Sequence, residues 1–439
     1  MVFKRTKVIR RADHPVSRKN IDPDALRVMQ RLHQHGYKAY LVGGSVRDLI
    51  LGMHPKDFDI STDAEPQQIK RLFRNCFLVG RRFRLAHIRF GYNKVIETST
   101  FRRQPEAAGE GESLVQWDDN QFGTPVEDAF RRDFTVNGLF YDLSDFSVID
   151  HVGGLQDLRR GLIRSIGDPN MRFREDPVRM IRAVRFAARL GFRLEARTRR
   201  ALVRHAPEIL SASPARLLDE VFKLFGFGAG EPAFRLLWEL GLLRVLLPEL
   251  DAYVAATGGR HSPLWRRLAA LDSGEHWADR APSSLMLAVL FEAPARAAVE
   301  AARSSGHEVA GVLQDWLEPI VLRLRIPKVG RYRVLRLMED QILLDQALAA
   351  KAPGKRSRRY APSRIMAHAS FPESLALLEI RAASGQAEAS VLEYWRQKAE
   401  SHAEQHPVEE GQAEEGAAAA VAPVKRRRRR RRRSPAHEA

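Results

Sequence analysis

Residues 41–60, LVGGSVRDLILGMHPKDFDI, constrain this chain more than any other stretch, because a glycine turn leads through a short helix to two aspartates one residue apart. Residues 38–42 are a short apolar run of strand character, and residues 45–51 have helical spacing with Ser45 placed to cap them. A strand therefore turns sharply into a helix. Gly43 and Gly44 permit positive φ and close backbone approach, while the helix N-terminus points unpaired N–H groups ahead of it, an arrangement suited to an anion. Gly52 and Pro55 punctuate the return, and Asp57-Phe58-Asp59-Ile60 reads as a second strand whose period of two puts both carboxylates on one face. Two like charges side by side raise each other's pKa unless a cation lies between them, and Mg2+ is the usual cation where phosphates are near. Either half alone is more often a loop or a solvated strand edge; their joint occurrence favours a phosphate and metal site.

The chain has 439 residues, 44% of them hydrophobic, enough for two or three domains with real cores. Its formal charge is +18, of which the nine consecutive cations at 425–433 supply half, so the remainder is still basic. A balance of that size points to a polyanion, either nucleic acid or an acidic membrane surface, and the body itself is expected to meet nucleic acid. The single cysteine, Cys76, excludes an intramolecular disulfide and a cysteine-rich zinc site, and reads as a small buried apolar residue. The basic N-terminus lacks the apolar core of a secretory signal, and the most apolar later window, 233–250, contains Arg235, Glu239 and Arg244. No membrane association and a cytoplasmic location are the expectation.

A helix opens the folded part, with Asp22 as N-cap, Pro23 at its first position, Leu26, Met29 and Leu32 on its apolar face, and Gly36 past its end. A helix at 65–75 and strands at 77–79, 86–90 and 95–101 complete a small α/β sheet, followed by a polar loop at 103–123. Further strands are expected at 139–143 and 147–151 before the Gly153-Gly154 turn. Residues 178–190 read as a strong helix that gathers Arg179, Arg182, Arg185 and Arg189 along one face. From 198 to about 402 the periodicity is helical, interrupted by a basic connector at 351–359, and from 406 onward the composition is that of a disordered segment. At 131–137, RRDFTVN, a third acid, Asp133, follows two cations, and Phe134 and Val136 can anchor it in a core. Glu97 competes with Asp133 for the role of third carboxylate, since it lies on a strand that could share the face of Asp57 and Asp59.

The blocks LVGGSVRDLILGMHPKDFDI, RRDFTVNG, DHVGGLQDL, REDPVRMIRAVRF and SPARLLDEVFKL occur in order, and across residues 25–230 the chain resembles the class II nucleotidyltransferases, the bacterial poly(A) polymerases and tRNA CCA-adding enzymes. The resemblance implies an α+β protein: an N-terminal DNA polymerase beta-like nucleotidyltransferase head, then all-α neck and body domains, with a disordered basic tail. The expected division is an extension at 1–20, the catalytic head at 21–150, a neck at 151–230 whose helices bind nucleotide and RNA, an RNA-binding body at 231–405 and the tail at 406–439. Carried over residue by residue, Asp57 and Asp59 are the metal-binding pair and Asp133 the third acid, while Gly43, Gly44, Arg47 and Asp48 match the triphosphate cradle. Asp133 and Asn137 stand where the family contacts the ribose or shapes the primer site. Glu175, Asp176 and Arg179 match the motif whose aspartate and arginine face the nucleobase. A carboxylate that accepts from an exocyclic amine, beside a guanidinium that donates to a ring nitrogen, selects A or C over U or G. An ordinary ion pair at a helix start, with Asp176 as N-cap, is compatible with the same residues.

The segment at 78–88, LVGRRFRLAHI, resembles the signature that separates poly(A) polymerases from their CCA-adding relatives, and no His-Asp dipeptide of the phosphohydrolase domain occurs. The glycine ending RRDFTVNG departs from the other small residue common in the family. What the resemblance implies is template-independent addition of AMP from ATP to RNA 3′ ends, with Mg2+ as cofactor and RNA 3′ ends as partner; the sequence identifies no protein partner, RNA-decay proteins included. The alternatives are a tRNA CCA-adding enzyme of the same chemistry and a non-catalytic RNA-binding protein on a polymerase scaffold. Clustered, mutually repelling acids argue against the last.

Overall fold

A computed structural model describes residues 6–80, 84–91, 94–103, 121–274, 281–302, 307–349 and 362–405. Asp22 starts the first helix, α1 (Pro23–Gln34): its side chain accepts from the backbone N–H groups of Asp24 and Ala25, and Pro23 occupies the first turn, where a missing N–H costs nothing. Ala25, Val28, Met29 and Leu32 form the buried stripe of α1, which packs on a sheet of eight strands.

The strands are β1 (Lys7–Ile9), β2 (Ala39–Val42), β3 (Asp59–Thr62), β4 (Cys76–Val79), β5 (Leu85–Phe90), β6 (Lys94–Thr100), β7 (Leu139–Asp142) and β8 (Val148–Asp150). They lie in the order β1-β8-β7-β2-β3-β6-β5-β4, and each neighbouring pair is antiparallel except β3 with β6. Side-chain alternation divides the sheet. Leu41, Ile60, Ile88 and Ile96 point into the core beneath α1, whereas Asp59, Ser61 and Glu97 occupy the opposite face. Three helices complete this part: α2 (Gly44–Ile50), α3 (Pro66–Leu72) and α4 (Pro125–Arg131).

The strand at Asp57 is shorter than its alternation predicts. β3 begins at Asp59, which pairs with Val42, the last residue of β2. Beyond Val42 the chain turns into α2, so nothing remains for Asp57 to pair with, and the two carboxylates are joined by a common cleft rather than a common ladder. The N-terminus also differs: residues 7–9 add β1 to the sheet edge beside β8, with His14 and Val16 buried behind it.

From residue 154 the described chain is almost wholly helical, beginning with α5 (Gly154–Arg160), α6 (Pro169–Glu175), α7 (Val178–Leu190), α8 (Ala196–His205) and α9 (Pro214–Leu224). The Gly153-Gly154 turn has a steric cause, since a Cβ at Gly154 would lie 2.1 Å from the Thr135 carbonyl oxygen. Asp150 locks it by accepting from the backbone N–H groups of Val152, Gly153, Gly154 and Leu155 at 2.7–3.1 Å. The main core runs without a break from the sheet to Ile380, and a second cluster around Leu344 and Trp395 closes the far end. Among the described residues no helix is long and apolar enough to cross a membrane. Most of the loop at 103–123, residues 81–83 of the 78–88 segment, the connector at 351–359 and the tail from 406 lie outside the described residues.

Candidate active site

A cleft of about 1050 Å³ opens between the Asp59 face of the sheet and helices α7 and α9. It is lined by Gly43, Gly44, Arg47, Asp48, Asp57, Asp59, Glu97, Asp133, Asn137, Asp176 and Arg179, so every candidate site residue named above, except Glu175 of the base motif, meets at one place.

Gly43 and Gly44 form its floor. Gly43 has φ +74°, open to glycine but rarely to other residues, and a Cβ there would also stand 3.0 Å from Arg132 Nη1. Gly43 rather than Ser45 precedes α2, and its N–H donates to Leu139 O at 3.1 Å, whereas the Ser45 hydroxyl donates to Val42 O. The amides left for an anion are therefore those of the first turn of α2.

Asp57 and Asp59 keep an open side toward the cleft. The surrounding walls nevertheless strip water from Asp59, and Glu97 and Asp57 add like charge; against the pull of Arg132, its pKa is pushed up to about 6. Glu97 stands beside Asp59 because Ile60 and Thr98 pair in the parallel ladder, which sets the preceding residues side by side on the same face. The raised pKa of Asp59 marks a place short of positive charge, where oxygen donors from Asp57 and Asp59 suit a divalent ion, with Glu97 beside Asp59 on the same face, although among the described residues no three such side chains are gathered closely enough to enclose one.

Asp133 is engaged elsewhere. Its Oδ1 accepts from Phe134 N at 2.8 Å and Asn137 Nδ2 at 3.0 Å, and its Oδ2 accepts from Arg182 Nε at 2.8 Å. Burial opposes its ionisation, but Arg182 and these donors prevail and hold its pKa down at about 2. Arg47, 1% exposed, donates to Asp48 at 2.8 Å and to Asn137 Oδ1 at 2.6 Å, and Asp48 accepts from Arg189 at 2.8 Å. Arg189, Asp48, Arg47, Asn137, Asp133 and Arg182 thus form one continuous polar chain that fastens the sheet domain to α7. Burial lowers the Arg47 pKa, and Asp48 opposes that shift.

At the other end, Asp176 Oδ2 accepts from Arg216 at 2.8 Å, while its buried Oδ1 has no partner among the described residues. Asp176 does not cap α7; Pro177 occupies that position. Arg179 donates to Arg172 O and to Glu175, each at 3.1 Å, so Asp176 and Arg179 are held by different neighbours and not by each other.

Three residues beyond those singled out matter here. Arg132 stands between the glycine turn and Asp59, bonded to Asp128 at 2.8 Å and to Ser61 at 3.2 Å. Arg216 holds Asp176. Glu220, 4% exposed, joins Arg185 at 3.0 Å and Arg182 at 3.5 Å. Arg132 is one of the two cations noted before Asp133, and Glu220 carried a further local signal as an acid set among the buried Leu217, Val221 and Leu224 of α9. The departure at Gly138 has a packing cause, because a Cβ there would lie 2.6 Å from Val152 Cγ2.

The family described as the Poly A polymerase head domain matches residues 39–164; its probable RNA and SrmB-binding site matches 191–254, and the polymerase A arginine-rich C-terminus matches 321–434. Poly(A) polymerase I of Escherichia coli O6:H1 is 42% identical over 391 residues, covering 85% of this chain and 81% of that protein. The CCA-adding enzyme of Geobacillus stearothermophilus is 37% identical, but over 58% of this chain and 61% of its own. Among solved structures, the Bacillus stearothermophilus CCA-adding enzyme in complex with CTP superposes with a TM-score of 0.58 at 28% identity, covering 88% of this chain and 84% of that one. With the glycine turn, the acids and the base motif in one cleft, and likeness to Poly(A) polymerase I along most of its length, the chain belongs to the bacterial poly(A) polymerase family.

Proposed function

We propose that this protein adds AMP from ATP to RNA 3′ ends without a template and releases pyrophosphate. One observation carries the reading: a single cleft joins the open carboxylates Asp57 and Asp59 to Asp176, whose buried Oδ1 has no partner among the described residues. Mg2+ would be held by Asp57 and Asp59, with Glu97 as third carboxylate in preference to Asp133. Held by these carboxylates, such a metal centre would supply the charge that lowers the pKa of the RNA 3′ hydroxyl and stabilises the leaving pyrophosphate. The chain's own residues orient and select. Arg132 and the first-turn amides of α2 neutralise the triphosphate, with Gly43 and Gly44 admitting its close approach. Asp176 Oδ1 accepts from the adenine amine and Arg179 donates to a ring nitrogen. Because cytosine offers the same pair of groups, the polar chain from Arg189 to Arg182 supplies the remaining discrimination by fixing the size of the pocket. In the same reading residues 21–150 are the catalytic head, 151–230 the neck, 231–405 a body that holds RNA, and 406–439 an accessory tail.

The test is nucleotide addition by purified protein with Mg2+ to a labelled oligoribonucleotide and to a tRNA lacking its terminus, with ATP, CTP, GTP and UTP offered separately. Long A-tails on the unstructured RNA are expected. Addition restricted to two C and one A on the tRNA would replace this reading with the CCA-adding one, and no addition to either would leave a binding protein. Asp57→Ala or Asp59→Ala should abolish incorporation and retain RNA binding.

A further inference from the structure

Phe227 combines three features that the chemistry above does not use. Its φ is +64°, a conformation that bulky residues rarely adopt and that persists where surrounding structure imposes it, often at ligand clamps. The imposing structure is present: Asp272 accepts from Gly230 N at 2.9 Å and Glu231 N at 2.7 Å, pinning the chain just beyond the turn Gly226–Gly228. The ring lines the cleft and Phe227 remains 38% exposed. Two cations lie over the ring, Arg189 from α7 with its guanidinium carbon 3.5 Å from the centroid, and Lys56, next in sequence to Asp57, with its Nζ at 4.2 Å. An aromatic face held at the rim of a basic cleft, with a lysine on a flexible stem over it, presents what a nucleobase and its phosphate require.

We infer that Phe227 is a stacking platform for the 3′-terminal nucleobase of the RNA, with Lys56 moving off the ring to the adjoining phosphate. The inference rests on the proposed reading in one respect, that Asp176 and Arg179 face the incoming base. Arg179 and Arg189 stand ten positions apart on α7, which is about 15 Å along the helix axis. One base cannot reach both ends. The base at Phe227 therefore comes from the other substrate, the RNA, and the link from Lys56 to Asp57 places it beside the acids where the 3′ hydroxyl must arrive.

The experiment uses full-length protein and two fluorescent probes, an RNA with 2-aminopurine at its 3′ end and formycin triphosphate, which keeps the exocyclic amine and adjoining ring nitrogen of adenine, with Phe227→Leu and Phe227→Tyr compared with wild type. Wild type and Phe227→Tyr should quench the RNA probe, and Phe227→Leu should lose that quenching while quenching of the triphosphate stays unchanged. In turnover, Phe227→Leu should raise KM for RNA about tenfold, the scale of one lost base stack, and leave KM for ATP within about twofold of wild type. Equal RNA-probe quenching by all three proteins overturns the inference, and so does a loss confined to the triphosphate probe or to kcat. Matching thermal melts of the variants show that the fold is kept. Quenching is read without turnover, so a wild type that extends no RNA would defeat the proposed function while the probes still judge Phe227.

Discussion

At Gly43 a single hydrogen in place of a side chain serves two needs, a positive φ and the approach of Arg132 to 3.0 Å of where a Cβ would stand. Gly43→Ala should therefore lower stability by about 1–3 kcal/mol from a backbone at φ +74° and ψ −132° that glycine alone adopts readily, measured by urea denaturation, and should weaken ATP use further by displacing Arg132. An alanine variant with unchanged KM for ATP would detach Arg132 from the triphosphate. Asp59 supplies a pH prediction. With its pKa raised to about 6, the metal-free carboxyl holds a proton below that value, and metal can bind only after the proton leaves. Apparent Mn2+ affinity should climb with pH up to about 6 and then level. Burial is the largest cause of the shift and Glu97 the next, so Glu97→Gln should move the midpoint to lower pH. A midpoint that stays in place would separate Glu97 from Asp59 and return the third-carboxylate role to Asp133.

Between elements, α7 is the shared beam. Its arginines face the cleft as their spacing predicts, yet they are mostly committed to acids of other elements: Arg182 to Asp133, Arg185 to Glu220 and Arg189 to Asp48. Asp133→Ala would leave Arg182 with the more distant Glu220 and should destabilise the protein by about 3 kcal/mol, the scale of a broken buried pair, read as a fall in the denaturation midpoint. The folded pKa of Asp133, about 2, is depressed, so its contribution is complete above the ordinary carboxylate range and is lost as pH falls from about 4 toward 2. Acid unfolding of Asp133→Asn should show a shallower dependence across that window; an identical profile would deny the pair its role. This pair also shows what could be read from the chain. Helix 178–190, the Asp22 cap and the strands near 77–100 announce themselves through periodicity and local chemistry. The ion-pair partners do not, because Asp133 with Arg182 and Asp48 with Arg189 are 49 and 141 positions apart, and no local pattern encodes which surfaces meet. Residue type and spacing indicated an acid at 133 but not its orientation, which is why its oxygens turn to α7 while Glu97 stands beside Asp59.

At the scale of the whole molecule, basicity and architecture act at different distances. The helical region is braced by a buried charge cluster in which Arg267 and Glu292, each 2% exposed, pair at 2.8 Å, and Arg296 and Arg381 tie the same cluster to Asp345. Burial opposes charge on Glu292, but these arginines hold its pKa down at about 2, which keeps the cluster ionised throughout the working range of pH. The acids thus consume the inner arginines, so a test of polyanion attraction turns on the outer ones and on the nine cations at 425–433. Each phosphate neutralised on a single strand contributes about −0.7 to the slope of log affinity against log salt. Deleting residues 425–439 should therefore flatten the salt dependence of RNA binding, by several units if most of the nine cations engage phosphates. Single-nucleotide addition from ATP at low salt should persist, because the cleft that holds Asp57 and Asp59 is built from residues 43–227. The decisive measurement is RNA affinity across a salt series for both proteins. Parallel lines would place every phosphate contact on the folded body, whereas a flatter line with intact single addition would assign the tail to capturing RNA and the cleft to extending it.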